Sequence, residues 1–369
     1  VLRSSRLVTF DAHDAGPGPS PQSLAAALAS RTRAGDLVDR GPSGELRCAA
    51  CAHRCVFAGD RQGACGVRFR RGDELRVPFG YVARRFVRAV ETNTIYHVRP
   101  GAKALTFGMY GCDLRCPYCQ NWRVSQALRE SRNEEQPQDI TAAALVAEAV
   151  KDGCRVLCAA FNEPLIAAEW VAAVFAEARR AGLLTALVSD GHTTLEALRY
   201  LRPVTDVFRV DLKGARQEQY RELGGRLEPV LAGIAEAHRL GYWVEAVTLV
   251  VPGFNDDLGG LRSLARYLVA IDADLPWHLN AFQPRYQWEQ RPVTSTGLLL
   301  SAAGMAYAQG LHFVYVSNVP DGSTTFLMHT RCPACGAEVV RRRDYAATPQ
   351  TLIDGHCPHC KRLLAGLWN

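Results

Sequence analysis

Eleven of the thirteen cysteines fall into three short clusters: Cys48, Cys51, Cys55 and Cys65; then Cys112, Cys116 and Cys119; then Cys332, Cys335, Cys357 and Cys360. This distribution constrains the fold more than any other feature. Closely spaced thiols in an odd total suit metal ligation in a reducing compartment better than a disulfide framework. The clusters therefore read as metal sites, and the expected location is cytoplasmic. Cys154 and Cys158, the remaining pair, flank an apolar strand pattern and read as small buried hydrophobes.

Between the first and last clusters the chain alternates. Strand-like apolar runs fall at Ala104–Gly108, Arg155–Phe161, Leu184–Ser189, Asp206–Leu212, Trp243–Val250, Trp277–Ala281 and His312–Val316. Helical patterns lie at 140–152, 165–181, 193–200, 229–240, 258–271 and 295–309. Short apolar runs separated by helix-length segments predict βαβ units and a parallel sheet. The expected fold class is α/β, a full or partial β/α (TIM-like) barrel between an N-terminal four-cysteine module and a C-terminal zinc ribbon. The boundaries expected are a loosely ordered arm at 1–45, the cysteine module at 46–100, the barrel at 101–322 and the ribbon at 323–369. In a barrel, catalytic residues sit at the C-terminal ends of strands, and the central cysteine loop follows the first strand.

That loop, Cys112-Asp-Leu-Arg-Cys116-Pro-Tyr-Cys119, offers three thiolates in a C-x3-C-x2-C run. A cubane iron–sulfur cluster has four corners, and ferredoxin-type clusters use a cysteine at each. Three cysteines leave one iron for a ligand that is not protein; the alternative is a zinc site completed elsewhere. Other strand ends carry polar groups. Asn162-Glu163-Pro164 could accept hydrogen bonds from an ammonium group or simply open a helix. Ser189-Asp190-Gly191-His192 could meet ribose hydroxyls or form a turn and cap. Asp211 and Lys213 share a strand face, as ligand-binding groups or as a structural ion pair. Val251-Pro-Gly-Phe-Asn-Asp256 and His278-Leu-Asn280-Ala-Phe282 follow the next two strands.

The run Thr106-Phe-Gly-Met-Tyr-Gly-Cys-Asp-Leu-Arg-Cys-Pro-Tyr-Cys-Gln-Asn-Trp122, with Ser125-Gln126, resembles the AmmeMemoRadiSam-system radical S-adenosylmethionine (SAM) enzymes, relatives of the pyruvate formate-lyase activating enzymes. The resemblance covers roughly 46–369 and includes Cys48-x2-Cys51-x3-Cys55-x9-Cys65-Gly-Val-Arg68, Tyr96-His97, Asn162-Glu-Pro, Asp211-Leu-Lys, Val251-Pro-Gly and Val316-x-Asn318-Val-Pro320. It implies that Cys112, Cys116 and Cys119 hold a catalytic [4Fe–4S] cluster and that SAM is the cofactor cleaved there. It places Tyr118 near the adenine, Glu163 at the SAM ammonium, Ser189 and Asp190 at the ribose, and Asp211 and Lys213 at the methionine end; Asn162 and His278, polar groups at strand ends, are read from their positions as further cofactor contacts. Three departures stand out. Asp190 replaces a frequent Asn, Val188 replaces an acid associated with a monovalent cation in activating enzymes, and Glu91-Thr-Asn-Thr-Ile95 lacks a lysine pair usual before Tyr-His.

Cys332-x2-Cys335 and Cys357-x2-Cys360 form the two knuckles of a zinc ribbon, with a rubredoxin-like iron site as the minority reading. Cys48, Cys51, Cys55 and Cys65 fit either structural zinc or a second, fully protein-ligated [4Fe–4S] cluster. The function expected is hydrogen abstraction by a 5′-deoxyadenosyl radical from a small-molecule or peptide substrate, or alternatively from a glycyl-radical protein. The reading from another class is a non-catalytic zinc-ribbon adaptor for nucleic acid or protein. The expected partner is a flavodoxin- or ferredoxin-type reductant. A net charge of +6 without a long basic run gives no argument for nucleic acid. No apolar run reaches the 18 or so residues of a membrane helix, and the first residues lack a signal-peptide core.

Overall fold

The computed structural model describes residues 21–130, 136–319, 322–343, 345–348 and 351–369. The Gly16–Pro21 stretch of the expected arm, up to Ser20, and Pro320 of the Val-x-Asn-Val-Pro run lie outside them. The centre is an eight-stranded sheet in sequential order. Its strands are β1 (Arg84–Ala89), β2 (Lys103–Gly108), β3 (Val156–Ala159), β4 (Leu184–Ser189), β5 (Val207–Asp211), β6 (Trp243–Val250), β7 (Trp277–Ala281) and β8 (Val314–Ser317). β2 to β8 run parallel, in register pairs such as Val156 with Ala104, Ala186 with Cys158 and His278 with Val247. β1 pairs antiparallel with β2.

β2 to β8 are buried nearly throughout, β3 and β8 at every residue, as expected when helices cover a parallel sheet, whereas no residue of the edge strand β1 is fully buried. The covering helices are α1 (Ala142–Lys151), α2 (Ala168–Arg180), α3 (Leu195–Leu201), α4 (Leu227–Arg239), α5 (Leu258–Ile271) and α6 (Thr296–Ala308). Four of them start on side-chain caps: Thr141, Thr194, Asp257 and Ser295 each accept a backbone N–H three residues on. Among the described residues β1 and β8 are not paired, so the barrel is partial. The sheet nonetheless curls, because residues of both edges line one cavity.

The N-terminal boundaries differ from expectation. Thr32–Ala34 pairs with Glu74–Pro78, and Val38–Arg40 pairs with Leu46–Cys48. The described part of the expected arm is thus built into the cysteine module beyond residue 31. Strands of two or three residues carry too little periodicity to be read. Arg84–Ala89, expected within the module, is instead the antiparallel edge of the central sheet.

The C-terminal ribbon docks on the lower end of the sheet, while its Met328 and Tyr345 also line the cavity at the strand C-termini. Arg342 donates to the Tyr96 and Met328 carbonyls and faces Glu91. Leu367 N–H donates to the His97 carbonyl, and the His97 ring contacts the Ala365 carbonyl at 2.8 Å and Tyr315 Oη at 2.6 Å. Tyr96, Phe313, Tyr315, Val340, Leu364 and Trp368 share one apolar cluster with Cys332 and Cys357.

Candidate active site

The central cysteine loop leaves the C-terminal end of β2 through Gly111, at φ +92°. A side chain there would drive a Cβ to 2.7 Å from the Cys65 carbonyl oxygen, so the turn requires glycine. Beyond it, Cys112, Cys116 and Tyr118 are buried with Leu114, Leu223, Val251, Phe254 and Phe282. Cys116, Tyr118 and Cys119 line a cavity of about 580 Å³ at the strand C-termini. Cys119 Sγ lies 3.1 Å from Ser125 Oγ. Burial pushes the Cys116 thiol up to about 12, and burial also raises Cys112 and Cys119. A bound metal cation reverses that penalty by binding the thiolate.

Asp211 and Lys213 reach the same cavity from the end of β5. Lys213 Nζ donates to Asp211 Oδ2 at 2.9 Å, and Arg209 pairs with the other carboxylate oxygen. Burial alone would raise Asp211; Arg209 and Lys213 outweigh it and hold the carboxyl below its usual range. Arg209 Nε is buried without a partner among the described residues. Sequence reasoning missed Arg209. The alternation that puts Asp211 and Lys213 on one face places residue 209 there too.

Glu163, Ser189 and Asp190 form a second group. The Glu163 carboxylate accepts from Leu165 N at 2.9 Å, Asp190 N at 2.7 Å and Ser189 Oγ at 3.0 Å, and is fully buried. Burial, then the charges of Asp190 and Asp113, push its carboxyl well up. Burial and Asp113 likewise raise Asp190, to about 7. Two raised acids close together favour a cationic ligand. Asp190 Oδ2 lies 3.8 Å from Cys112 Sγ, which ties this group to the cysteine loop. Asn162 accepts from Met109 N at 3.0 Å and so fixes the loop's lead-in.

Tyr118 packs against Phe254 and Trp288, with ring centroids 5.8 and 5.2 Å away. The Arg291 guanidinium sits 3.5 Å over Trp288. These rings pack at 39–63° to one another as an apolar cluster beside the cysteines. Trp288, on a one-turn 3-10 segment, had no legible signal.

His278 stands elsewhere. Its Nε2 contacts Glu245 Oε2 at 2.8 Å, and its ring packs on Tyr96 and Tyr315 in the lower sheet. Asn280, two residues further along the same face, is the one at the cavity. The reading of His278 as a cofactor contact had the right face and the wrong depth. A buried group also escaped the sequence reading: His192 Nδ1 contacts Asp113 Oδ2 at 2.9 Å, and His53 Nε2 contacts the Asp113 carbonyl at 3.0 Å.

Of the flanking clusters, the C-terminal four converge. Cys332 Sγ lies 3.5 Å from Cys360 Sγ, and Cys335 Sγ lies 3.7 Å from Cys357 Sγ. All four sulfurs fall within 4.8 Å of one another.

The chain is similar to known proteins over its central segment and beyond. Residues 107–263, from β2 into α5, match the family model described as Radical SAM superfamily. The matched segment holds the cysteine loop, the acid group and the Asp211–Lys213 pair, and a domain of the matched family implies a [4Fe–4S] cluster and SAM. The chain is 29% identical to an uncharacterized protein of Methanocaldococcus jannaschii over 302 residues, 81% of this chain and 88% of that protein. It is 24% identical to the pyruvate formate-lyase-activating enzyme of Streptococcus mutans over 203 residues, 52% of this chain and 76% of that enzyme. Among solved structures, a radical SAM methyltransferase from Sphaerobacter thermophilus aligns at a TM-score of 0.46 and 14% identity, covering 82% of this chain and 84% of that one. No helix among the described residues is long and apolar enough to cross a membrane.

The donor set fits the implied groups. Cys116, Cys119 and Lys213 line the cavity, and Cys112 with the buried acids Asp190 and Glu163, suited to an ammonium, lies behind its wall.

Proposed function

We propose that this chain is a radical SAM enzyme of the AmmeMemoRadiSam type, with Cys112, Cys116 and Cys119 as the ligands of its catalytic cluster. When bound, the cluster and SAM together supply a 5′-deoxyadenosyl radical that abstracts hydrogen from substrate. The chain binds, aims and dries the site. Tyr118, Phe254 and Trp288 offer a wall for the adenine. Glu163, organised by Ser189 and the Asp190 N–H, sits where raised acids would accept from the ammonium. Lys213, held by Asp211, pairs with the methionine carboxylate. Ser189 and Asp190 would meet the ribose. The substrate is a small molecule or peptide entering between β1 and β8. The alternative, a glycyl-radical protein, draws on the likeness to an activating enzyme.

The observation that carries this reading is that the three-cysteine loop and the Asp211–Lys213 pair face one cavity at the strand C-termini. The test is anaerobic reconstitution, followed by counting iron and sulfide and measuring 5′-deoxyadenosine after dithionite and SAM. Cluster-loaded protein should release 5′-deoxyadenosine. Well-loaded protein that releases none, with candidate substrates present, would sink the reading and favour a non-catalytic adaptor. We further propose zinc for Cys332, Cys335, Cys357 and Cys360. Their sulfur separations match the roughly 3.8 Å edge of a tetrahedron with zinc–sulfur bonds of about 2.3 Å.

A further inference from the structure

We infer that Cys48, Cys51, Cys55 and Cys65 hold a second [4Fe–4S] cluster rather than zinc, and that it passes electrons to the metal on the Cys112–Cys119 loop. The metal assignment stands by itself; the electron path rests on the proposed function.

The chain contains its own ruler. One zinc ion draws four sulfurs onto a small tetrahedron, and the C-terminal set has that size, with all four sulfurs within 4.8 Å. A cubane holds its thiolates farther apart, because each sulfur binds a different corner iron. Among the described residues, no three of Cys48, Cys51, Cys55 and Cys65 come within 4.8 Å of one another, and neither do Cys112, Cys116 and Cys119. The four nonetheless share one module: the Cys48 N–H donates to the Cys55 carbonyl at 2.9 Å, the Gly63 N–H donates to the Arg68 carbonyl at 2.8 Å, and Cys48, Cys51 and Cys65 are buried with Cys55 half-buried. Neither the N-terminal set nor the central loop gathers its sulfurs as tightly as the ribbon does.

Donors to sulfur point the same way. Arg68 Nη1 lies 3.6 Å from Cys48 Sγ, and the Ala64 N–H donates to Cys55 Sγ at 3.3 Å. Hydrogen bonds to cysteine sulfur are a principal means of setting a cluster's potential.

Placement supplies the electron path. Arg129 donates through one guanidinium nitrogen to both the Ala64 and the Cys112 carbonyls. The Cys65 carbonyl rests on Gly111, the residue before Cys112. On the other side, Cys51 bridges to Thr193, and the Ala52 N–H donates to the His192 carbonyl at 3.0 Å. The two cysteine loops thus share one packed backbone. The transfer is balanced without moving an atom. A low-potential one-electron donor protein of flavodoxin or ferredoxin class is oxidised by one electron as the N-terminal cluster is reduced. That cluster returns to its oxidised state as the loop's metal is reduced.

The test begins with the full chain carrying Cys112→Ala, Cys116→Ala and Cys119→Ala together. Reconstituted anaerobically, it should keep about four irons and about four sulfides alongside one zinc, with an EPR signal on reduction. About two zincs and no iron would overturn the inference, while a wild type still carrying about four irons would leave the proposed function standing. The path is tested with Cys51→Ser and Cys55→Ser. The loss of 5′-deoxyadenosine formation should be at least about tenfold greater with flavodoxin than with dithionite as donor. Equal losses with the two donors would overturn the relay.

Discussion

Arg68 and Glu169 form an ion pair almost wholly removed from water, with side chains 2% and 0% exposed, and it joins the turn after Cys65 to the first turn of α2. Glu169 also accepts from Asp36 N and Leu37 N, and Arg68 Nε donates to the Ile166 carbonyl at 2.7 Å. The pair therefore anchors the cysteine module to the barrel. Breaking a buried pair from one side leaves an uncompensated charge, at a cost of about 3–5 kcal/mol. Arg68→Met should lose that much in urea unfolding, and the double variant with Glu169→Leu should recover part of it. A loss below about 1 kcal/mol would mean the anchor lies elsewhere.

Cys116→Ala removes the thiol at the middle of the cysteine loop. We expect 5′-deoxyadenosine formation to fall at least about a hundredfold. Zinc measured in the same sample should stay at the wild-type level. A variant retaining half its activity would displace Cys116 from the ligand set.

Lys213→Met keeps the length of the side chain and removes its charge. SAM binding, measured by equilibrium dialysis on the reconstituted protein, should weaken about tenfold or more, which corresponds to about 1.4 kcal/mol. An unchanged dissociation constant would reduce the Asp211–Lys213 pair to a structural ion pair.

His97 gives the fold an acid sensitivity. Burial pushes its pKa down to about 4 from an ordinary value of 6.5. Between those values the unfolded chain binds a proton that the folded chain refuses. Stability thus rises with pH across this window, is fully present above 6.5, and is lost as pH falls toward 4. The shift corresponds to about 3 kcal/mol at most. Urea midpoints at pH 7, 6, 5 and 4 should show the decline, and His97→Gln should flatten it. An equal slope in the variant would place the sensitivity in another group.

Cys357→Ser should release about one zinc per chain. Because Trp368 packs on the His97 ring with centroids 4.9 Å apart, its fluorescence should shift red as the ribbon loosens. Unchanged zinc content would contradict the tetrahedral assignment.

Much of the sheet was legible because buried parallel strands are short apolar runs. Trp243–Val250, Trp277–Ala281 and Leu184–Ser189 have the expected limits, whereas Arg155–Phe161 shortens to Val156–Ala159. β1 was missed because Arg84, Arg85 and Arg88 give an edge strand a polar character. In the site, period two placed Asp211 with Lys213 but could not fix depth, and depth is what separates Asn280 from His278. Contacts between segments far apart in sequence, such as Asp113 with His192 or Arg129 with Ala64, had no local pattern to read.

Glu245, at the base of β6, accepts from the Tyr96 and His97 N–H groups, and the ribbon closes over the same residues through Arg342 and Leu367. The lowest layer of the barrel is therefore completed by residues some 250 positions downstream of where it begins. Such non-local closure slows folding and prolongs the exposure of unfinished surface. On the ribosome, the Cys112–Cys119 loop is made long before its barrel can shut. A ribbon that fails to close would leave that loop in an unfinished shell.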